Sequence, residues 1–251
     1  SMLELTPDFI KEFAAYLSTE AGLRNGSIWA NCMWLKGVVM KAHYNGLIPR
    51  NPFIQFHISP NVKEREYLTE DELKAVMTHE FADSKLAYIR DIFIFASFTA
   101  LSFVDIQELT NDNIVEVNGE KWILSKRHKT KVAFQVKLLD IPLQIVERYR
   151  PMQKDNRIFP GLNYWSICKP LKRMIRECGI TKSISFHCSR HGFATLALSK
   201  GMPIESVSRV LGHTNIVTTQ LYAKITTQKL DNDLTMFGDK LSKTFNGITM
   251  S

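Results

Sequence analysis

The 251 residues are enough for one large or two modest domains, and a hydrophobic content of 45% is ordinary for a globular protein. Thirty-two Lys and Arg against 25 Asp and Glu leave a formal charge of +7, which favours a polyanionic partner. No apolar run approaches the roughly 18 residues of a membrane span and no signal peptide opens the chain, which speaks against membrane or secreted classes; Cys32, Cys168, Cys178 and Cys188 lack zinc or C-x-x-C spacing and read as reduced thiols of a cytoplasmic protein.

Ser1-Met2 reads as a cloning remnant. In chain order, Thr6-Pro7-Asp8 then signals a helix start, Thr as cap and Pro in the first turn, with Phe9, Phe13 and Leu17 on an apolar face. A second helix is expected from Ser27 to Asn45, with Ala30, Trp34, Val38 and Ala42 on one side. Gly46, Pro49, Asn51-Pro52 and a polar stretch ending in Lys63-Glu64-Arg65 follow as a linker. Thr69 within Leu68-Thr69-Glu70-Asp71-Glu72 caps the next helix. Arg90 heads an apolar helix from Ile92 to Ala100, and Ser102 and Asp105 lie just past its end.

Asn118-Gly119 is a two-residue turn signal between Ile114–Val117 and Lys121–Leu124, and a third strand is expected over Val132–Leu138. From Lys121 to Lys137 the chain carries six Lys or Arg and no acid. Lys126, Arg127, Lys129 and Lys131 therefore suit a phosphate-facing loop, although lysines that guard a sheet edge would look the same. Helices are expected at Pro142–Arg150, Ser166–Cys178, Ser189–Lys200 and Pro203–Leu211. Lys169, Lys172 and Arg173 in the second of these either follow a DNA backbone or form a solvated face. A tail with Leu230, Leu234, Met236, Phe237 and Leu241 at helical intervals ends the chain. The expected fold is mainly α with a small antiparallel β-sheet.

The densest chemistry lies between Phe186 and Tyr222. His187 and Arg190 are one helical turn apart and can reach one phosphate; Leu211-Gly212-His213 closes a short helix; Tyr222 follows nine residues later. A guanidinium binds two non-bridging phosphate oxygens at once, which suits Arg190. Histidines donate to phosphate or move protons near neutral pH, which suits His187 and His213. A tyrosine hydroxyl becomes a nucleophile where positive charge and a base lower its barrier, and a phosphotyrosyl ester conserves the energy of the broken bond. This chemistry needs no metal ion and no cofactor.

The His-x-x-Arg-His, Leu-Gly-His and downstream Tyr, in that order, resemble the active-site box of the tyrosine recombinases, the phage integrase family, and most of all its Bacteroides-type mobile-element integrases. The resemblance implies a helical, SAM-like core-binding domain over residues 3–60, a linker over 61–67 and a catalytic domain over 68–251, within a longer integrase. It implies Tyr222 as nucleophile, Arg190, His187 and His213 around the phosphate, and Lys129, in Arg127-His128-Lys129-Thr130, as the acid that protonates the leaving 5′ oxygen. The expected activity is integration or excision of a mobile element through a 3′-phosphotyrosyl intermediate. Its partners would be a double-stranded DNA site, three further copies in a synaptic tetramer of protomers that are monomeric when free, and accessory factors. A type IB topoisomerase or a catalytically weakened DNA-binding regulator is the alternative.

One position departs from the pattern. The family's first arginine follows a Thr-Gly-Leu sequence, whereas this chain reads Thr99-Ala100-Leu101-Ser102. Serine brings no charge, so another cation is expected to reach the phosphate. Arg90 is the nearest upstream candidate, although a straight helix would hold it roughly 18 Å from Ser102, and it could equally be a surface residue paired with Asp91 or Glu80. Asp105 is expected to orient a cation from behind.

Overall fold

The computed structural model describes residues 4–59, 66–128, 131–153, 155–223 and 227–244. The chain divides into two compact units, Ser1–Glu64 and Arg65–Ser251. Among the described residues no helix is long and apolar enough to cross a membrane.

The first unit is a pair of helices, α1 (Pro7–Thr19) and α2 (Asn25–Tyr44). Thr6 accepts the Phe9 N–H at 3.1 Å and Pro7 occupies the first turn, where its missing N–H costs nothing. The buried faces differ from the expected ones. Ile10 and Leu17 carry α1, while Phe9 is exposed and stacks on Phe13; on α2, Ile28, Cys32, Val39 and Ala42 are buried and Trp34 is 75% exposed. Spacings of four, seven and three residues make the second set a continuous helical stripe. Alignment of the aromatic Trp34 with Val38 obscured it in the sequence. Phe53 and Ile48, in the turns after α2, close this small core against Ile10 and Val39.

In the second unit, α3 (Glu70–Thr78) begins with a capping box: Thr69 Oγ1 accepts the Glu72 N–H and Glu72 accepts the Thr69 N–H. Helix α4 (Ser84–Thr99) is the axis of the unit. Every residue from Asp91 to Ser97 is buried, as an all-round apolar helix must be, and α6 (Asp140–Tyr149), α7 (Tyr164–Glu177) and α8 (His187–Ser199) pack around it. Ser97 and Thr99 donate their hydroxyls back to the Phe93 and Phe95 carbonyls, which satisfies both without a partner outside the helix.

Between α4 and α6 lie the short α5 (Phe103–Gln107) and a three-stranded antiparallel sheet, β1 (Ile114–Val117), β2 (Glu120–Lys126) and β3 (Ala133–Lys137), in that order. Asn118 and Gly119 both take positive φ, 54° and 78°, the geometry that Asn-Gly supplies to a two-residue hairpin. The register pairs Ile114 with Ile123 and Ile123 with Val136, so Ile123, Phe134 and Val136 face the core. Helices α9 (Ile204–Leu211), α10 (Val217–Gln220) and α11 (Thr227–Thr244) complete the chain. The α11 side chains Leu230, Leu234, Met236 and Phe237 are half or more exposed. The fold is thus mainly α with one small sheet, as expected.

Candidate active site

Aromatic packing fixes the start of α8. Phe186 meets Phe93 edge-on at 6.1 Å and Phe103 at 5.3 Å, tying α8 to α4 and α5. His187 and Arg190 then project from the first turn, the histidine exposed and the arginine only 9% exposed. Arg190 Nη1 donates to the Ala100 carbonyl at 2.8 Å, and Nη2 donates to the Leu211 carbonyl. Ala100 can present that carbonyl because it ends α4 in the left-handed region at φ 56°. Arg190 therefore joins the ends of α4 and α9 around a single guanidinium.

His213 arrives through the end of α9. Gly212 takes φ 63°, and the Gly212 and His213 N–H groups donate to Arg209 and Ser208 at 3.0 and 3.1 Å. His213 Nδ1 is 2.8 Å from the hydroxyl of Thr219, a fully buried residue of α10. Tyr222 follows one turn later, its N–H donating to the Thr219 carbonyl at 3.0 Å. The Tyr222 ring is half-buried against Ala100, Ala194, Leu198, Val207 and Leu211, with its centroid 5.2 Å from the His191 ring, which in turn meets His187 edge-on at 4.5 Å. Tyr222, His191 and His187 thus form a continuous aromatic run beside Arg190.

The electrostatics agree with this gathering. Burial, then the charges of Arg190, Arg127 and His187, push His213 down to about 4, so its imidazole is neutral at pH 7. Burial and the neighbouring Arg127 lower Arg190 to about 10, against which Tyr222 and Asp105 act. Arg190 keeps its charge at neutral pH.

Ser102 is the cap of α5, in a capping box with Asp105. Its N–H and hydroxyl donate to Asp105 Oδ2 at 3.2 and 2.7 Å, and Arg127 Nη1 donates to the same oxygen at 2.7 Å. The His128 N–H reaches the other oxygen at 3.0 Å. Burial raises the Asp105 carboxyl, but these N–H donors, the Ser102 hydroxyl and the Arg127 charge outweigh it and hold the group below the ordinary carboxylate range. Ser102, Val104, Tyr164, His187 and Arg190 border an open cleft of about 350 Å³.

Arg127 differs from the exposed phosphate-facing residue expected of it. It is 5% exposed, lies over the Phe134 ring at 4.0 Å and donates to the Val210 carbonyl through Nη2 at 2.5 Å. It lies just past β2, enclosed by Asp105, the Phe134 ring and the end of α9, and these contacts bury it. Lys126 and Lys131 of the same hairpin are exposed, as are Lys169, Lys172 and Arg173 on α7; Lys129 lies outside the described residues.

The structure does not bring Arg90 to the site. It sits within α4, not at the head of a helix, and its guanidinium is held by Asp91 at 2.9 Å, by the His79 carbonyl at 2.8 Å and over the Phe81 ring. Asp91 also accepts from Arg148 and from the Tyr149 hydroxyl, so Arg90 belongs to a structural network around α6.

His191 entered the sequence argument only as the last residue of the His-x-x-Arg-His motif, with no role, although it stands one turn after His187, a spacing that signals a shared helix face. Two further residues escaped it: Thr219 sits in a Thr-Thr pair before Leu221-Tyr222, and Gly212 reads in the sequence as a helix stop, whereas a Cβ there would lie 2.9 Å from Arg127 Nε.

Comparison with known proteins identifies the family and the fold. Residues 66–229 match the phage integrase family and residues 1–58 match the phage integrase SAM-like domain. The tyrosine recombinase XerA of Pyrococcus horikoshii is 32% identical over 177 residues, 65% of this chain and 58% of that protein. XerC of Lactobacillus leichmannii is 25% identical over 229 residues, 85% of this chain and 77% of its own. Among solved structures, the Tn1549 transposon integrase in complex with circular intermediate DNA superposes with a TM-score of 0.78 at 18% identity, covering 93% of this chain and 86% of that one. A lambda integrase dimer bound to a COC′ core site gives 0.69 at 18% identity, covering 87% and 80%. The chain belongs to the phage integrase family, the tyrosine-type site-specific DNA recombinases.

Proposed function

We propose that this protein cleaves and rejoins double-stranded DNA at a specific site, with Tyr222 as the nucleophile. The phenol oxygen attacks the scissile phosphorus, the bond to the 5′ oxygen breaks, and a 3′-phosphotyrosyl protein and a free 5′-hydroxyl result. Arg190 stabilises charge on the non-bridging oxygens, a contribution typically worth about 10²–10³ in rate. His213 is neutral near pH 7, so the ring nitrogen not engaged by Thr219 is able to accept the phenol proton or donate to the phosphate. His187 provides a second imidazole from the exposed side. By its position in the family's hairpin motif, Lys129 delivers the proton to the leaving 5′ oxygen. The observation that carries this reading is the run of Tyr222, His191 and His187 rings beside a buried Arg190.

Exchange between two synapsed duplexes by four protomers would then give a Holliday junction and recombinants, for integration or excision of a mobile element in the bacterial cytoplasm and nucleoid. The exposed apolar side chains of α11 suit docking onto a neighbouring protomer in that assembly, starting from monomers in solution. Accessory factors would set direction.

A DNA substrate nicked beside the cleavage site traps the covalent complex. With EDTA present, the wild-type chain is expected to form an adduct stable to denaturation, and Tyr222→Phe to lower it by more than about a thousandfold. An adduct that survives the substitution removes Tyr222 from the role. Site binding without any wild-type adduct would instead favour a DNA-binding regulator, and relaxation of supercoils without a paired site a topoisomerase.

A further inference from the structure

Three helical threonines, Thr19, Thr78 and Thr99, turn their hydroxyls back on their own helices and donate to the carbonyl four residues earlier, at 3.1, 3.0 and 2.7 Å. Thr219 does not. Among the described residues its hydroxyl has one partner, His213 Nδ1 at 2.8 Å, and the residue is fully buried, out of reach of water.

A hydroxyl carries one hydrogen, and leaving that hydrogen without an acceptor in a buried place is costly. If the imidazole hydrogen sat on Nδ1, it would donate to the Thr219 oxygen, and the hydroxyl hydrogen would have nothing to bond. If Nδ1 is bare, the hydroxyl donates to it and is satisfied. His213 is neutral at pH 7, so one of its two ring nitrogens is bare. The buried hydroxyl selects Nδ1 as that nitrogen and leaves the hydrogen on Nε2. The same threonine also holds the backbone of Tyr222, whose N–H donates to the Thr219 carbonyl at 3.0 Å. Thr219 thus faces both groups, with its hydroxyl toward His213 and its carbonyl toward Tyr222.

We infer that Thr219 is a positioning residue of the reaction, its buried hydroxyl fixing the tautomer and ring orientation of His213 so that Nε2 is an N–H donor. Of the two roles left open for that nitrogen, this tautomer fits donation to the phosphate and not removal of the phenol proton. The inference rests on the recombinase reading above.

The test labels the wild-type chain with ¹⁵N-histidine and reads the ring nitrogens of His213 in long-range ¹H–¹⁵N spectra at pH 7, the signals being those that vanish in His213→Gln. A bare Nδ1 and a protonated Nε2 are expected, in at least about tenfold excess over the other tautomer. Thr219→Val, which keeps the branched side chain and drops the hydroxyl, should reduce that excess to about threefold or less and slow adduct formation at saturating nicked DNA about tenfold. Thr219→Ser, which restores a hydroxyl, should bring both back to within about threefold of wild type. A hydrogen on Nδ1 of the wild type, or the wild-type tautomer ratio in Thr219→Val, would overturn the inference, as would a shifted ratio with an unchanged rate. The wild-type spectrum carries the test if the valine variant does not fold. A wild-type chain that forms no adduct would instead fail the recombinase reading, while the tautomer ratios would still decide whether Thr219 sets His213.

Discussion

The site and the outer face of α7 are both rich in cations, yet they are built on opposite terms. At the site, Arg127 and Arg190 are buried, and their hydrogen bonds to Asp105 and to the Ala100, Val210 and Leu211 carbonyls define where each guanidinium lies. On α7, Lys169, Lys172 and Arg173 are exposed, and Arg173 is shared between Glu177 at 2.7 Å and Asp83 at 3.4 Å. A fixed, desolvated cation can select one phosphate geometry. A solvated one contributes attraction that salt screens and any backbone phosphate satisfies. The first arrangement suits chemistry on one bond, the second suits holding a duplex.

The largest effect outside the reacting residues themselves is expected where the buried pair is packed. Gly212→Ala would place a Cβ 2.9 Å from Arg127 Nε and 3.0 Å from its Cγ, in a residue at φ 63°. The middle of a pinned side chain cannot swing away as its tip could. Left-handed strain and overpacking together should lower the unfolding free energy by about 2 kcal/mol, and displacement of Arg127 should cut adduct formation at least tenfold. Urea denaturation and the nicked-substrate assay measure the two. Unchanged values in both would mean that the cation is no more fixed than those on α7.

Protons provide a subtler probe of the same contrast. In the free protein His213 titrates near 4 rather than at its ordinary value near 6.5 because it is buried beside two guanidiniums and His187. The unfolded chain therefore binds more protons than the folded one between these values, so His213 contributes a loss of stability as pH falls from about 6.5 to about 4. A phosphate entering the cluster offsets the positive charge and raises His213 again. Binding of site DNA at pH 5.5 should accordingly take up a proton, seen as a dependence of the calorimetric heat on the buffer's ionisation enthalpy, and His213→Gln should reduce that uptake. Identical uptake by both proteins would place the phosphate elsewhere.

The distribution of these features explains what the sequence could disclose. The helices, the Asn118-Gly119 hairpin and the Thr69 cap depend on contacts a few residues apart, so periodicity and turn chemistry reveal them. The His187, Arg190, His213 and Tyr222 set was legible because its residue types and order are distinctive. The position of Arg127 was not. Its burial arises from contacts 22 and 83 residues away, with Asp105 and Val210, and nothing local separates it from Lys126 or Lys131. Arg90 misled for the converse reason: proximity in sequence to Ser102 says nothing about the Asp91 network that occupies its guanidinium. On α2, the wrong stripe was chosen because an aromatic side chain, Trp34, looks like core although it is exposed.

The α7 face should respond least, and in a different observable. Replacing Lys169 and Lys172 with alanine is expected to change unfolding free energy by no more than about 0.5 kcal/mol, since neither side chain is buried. If both contact the duplex backbone, affinity should fall alike for cognate and unrelated sequences, and the slope of log K against log salt should become shallower by about 1.8, near 0.9 per phosphate contact. Arg173→Ala should move the slope less, because Glu177 and Asp83 already compete for that guanidinium. The rate of adduct formation at saturating DNA should stay within about twofold of wild type in both variants, since losing an interaction equal in the ground and transition states lowers affinity without slowing the chemical step. A slope that does not move would assign these lysines to solvent. A slowed chemical step at saturation would instead couple α7 to the phosphate cluster and dissolve the division between the two regions.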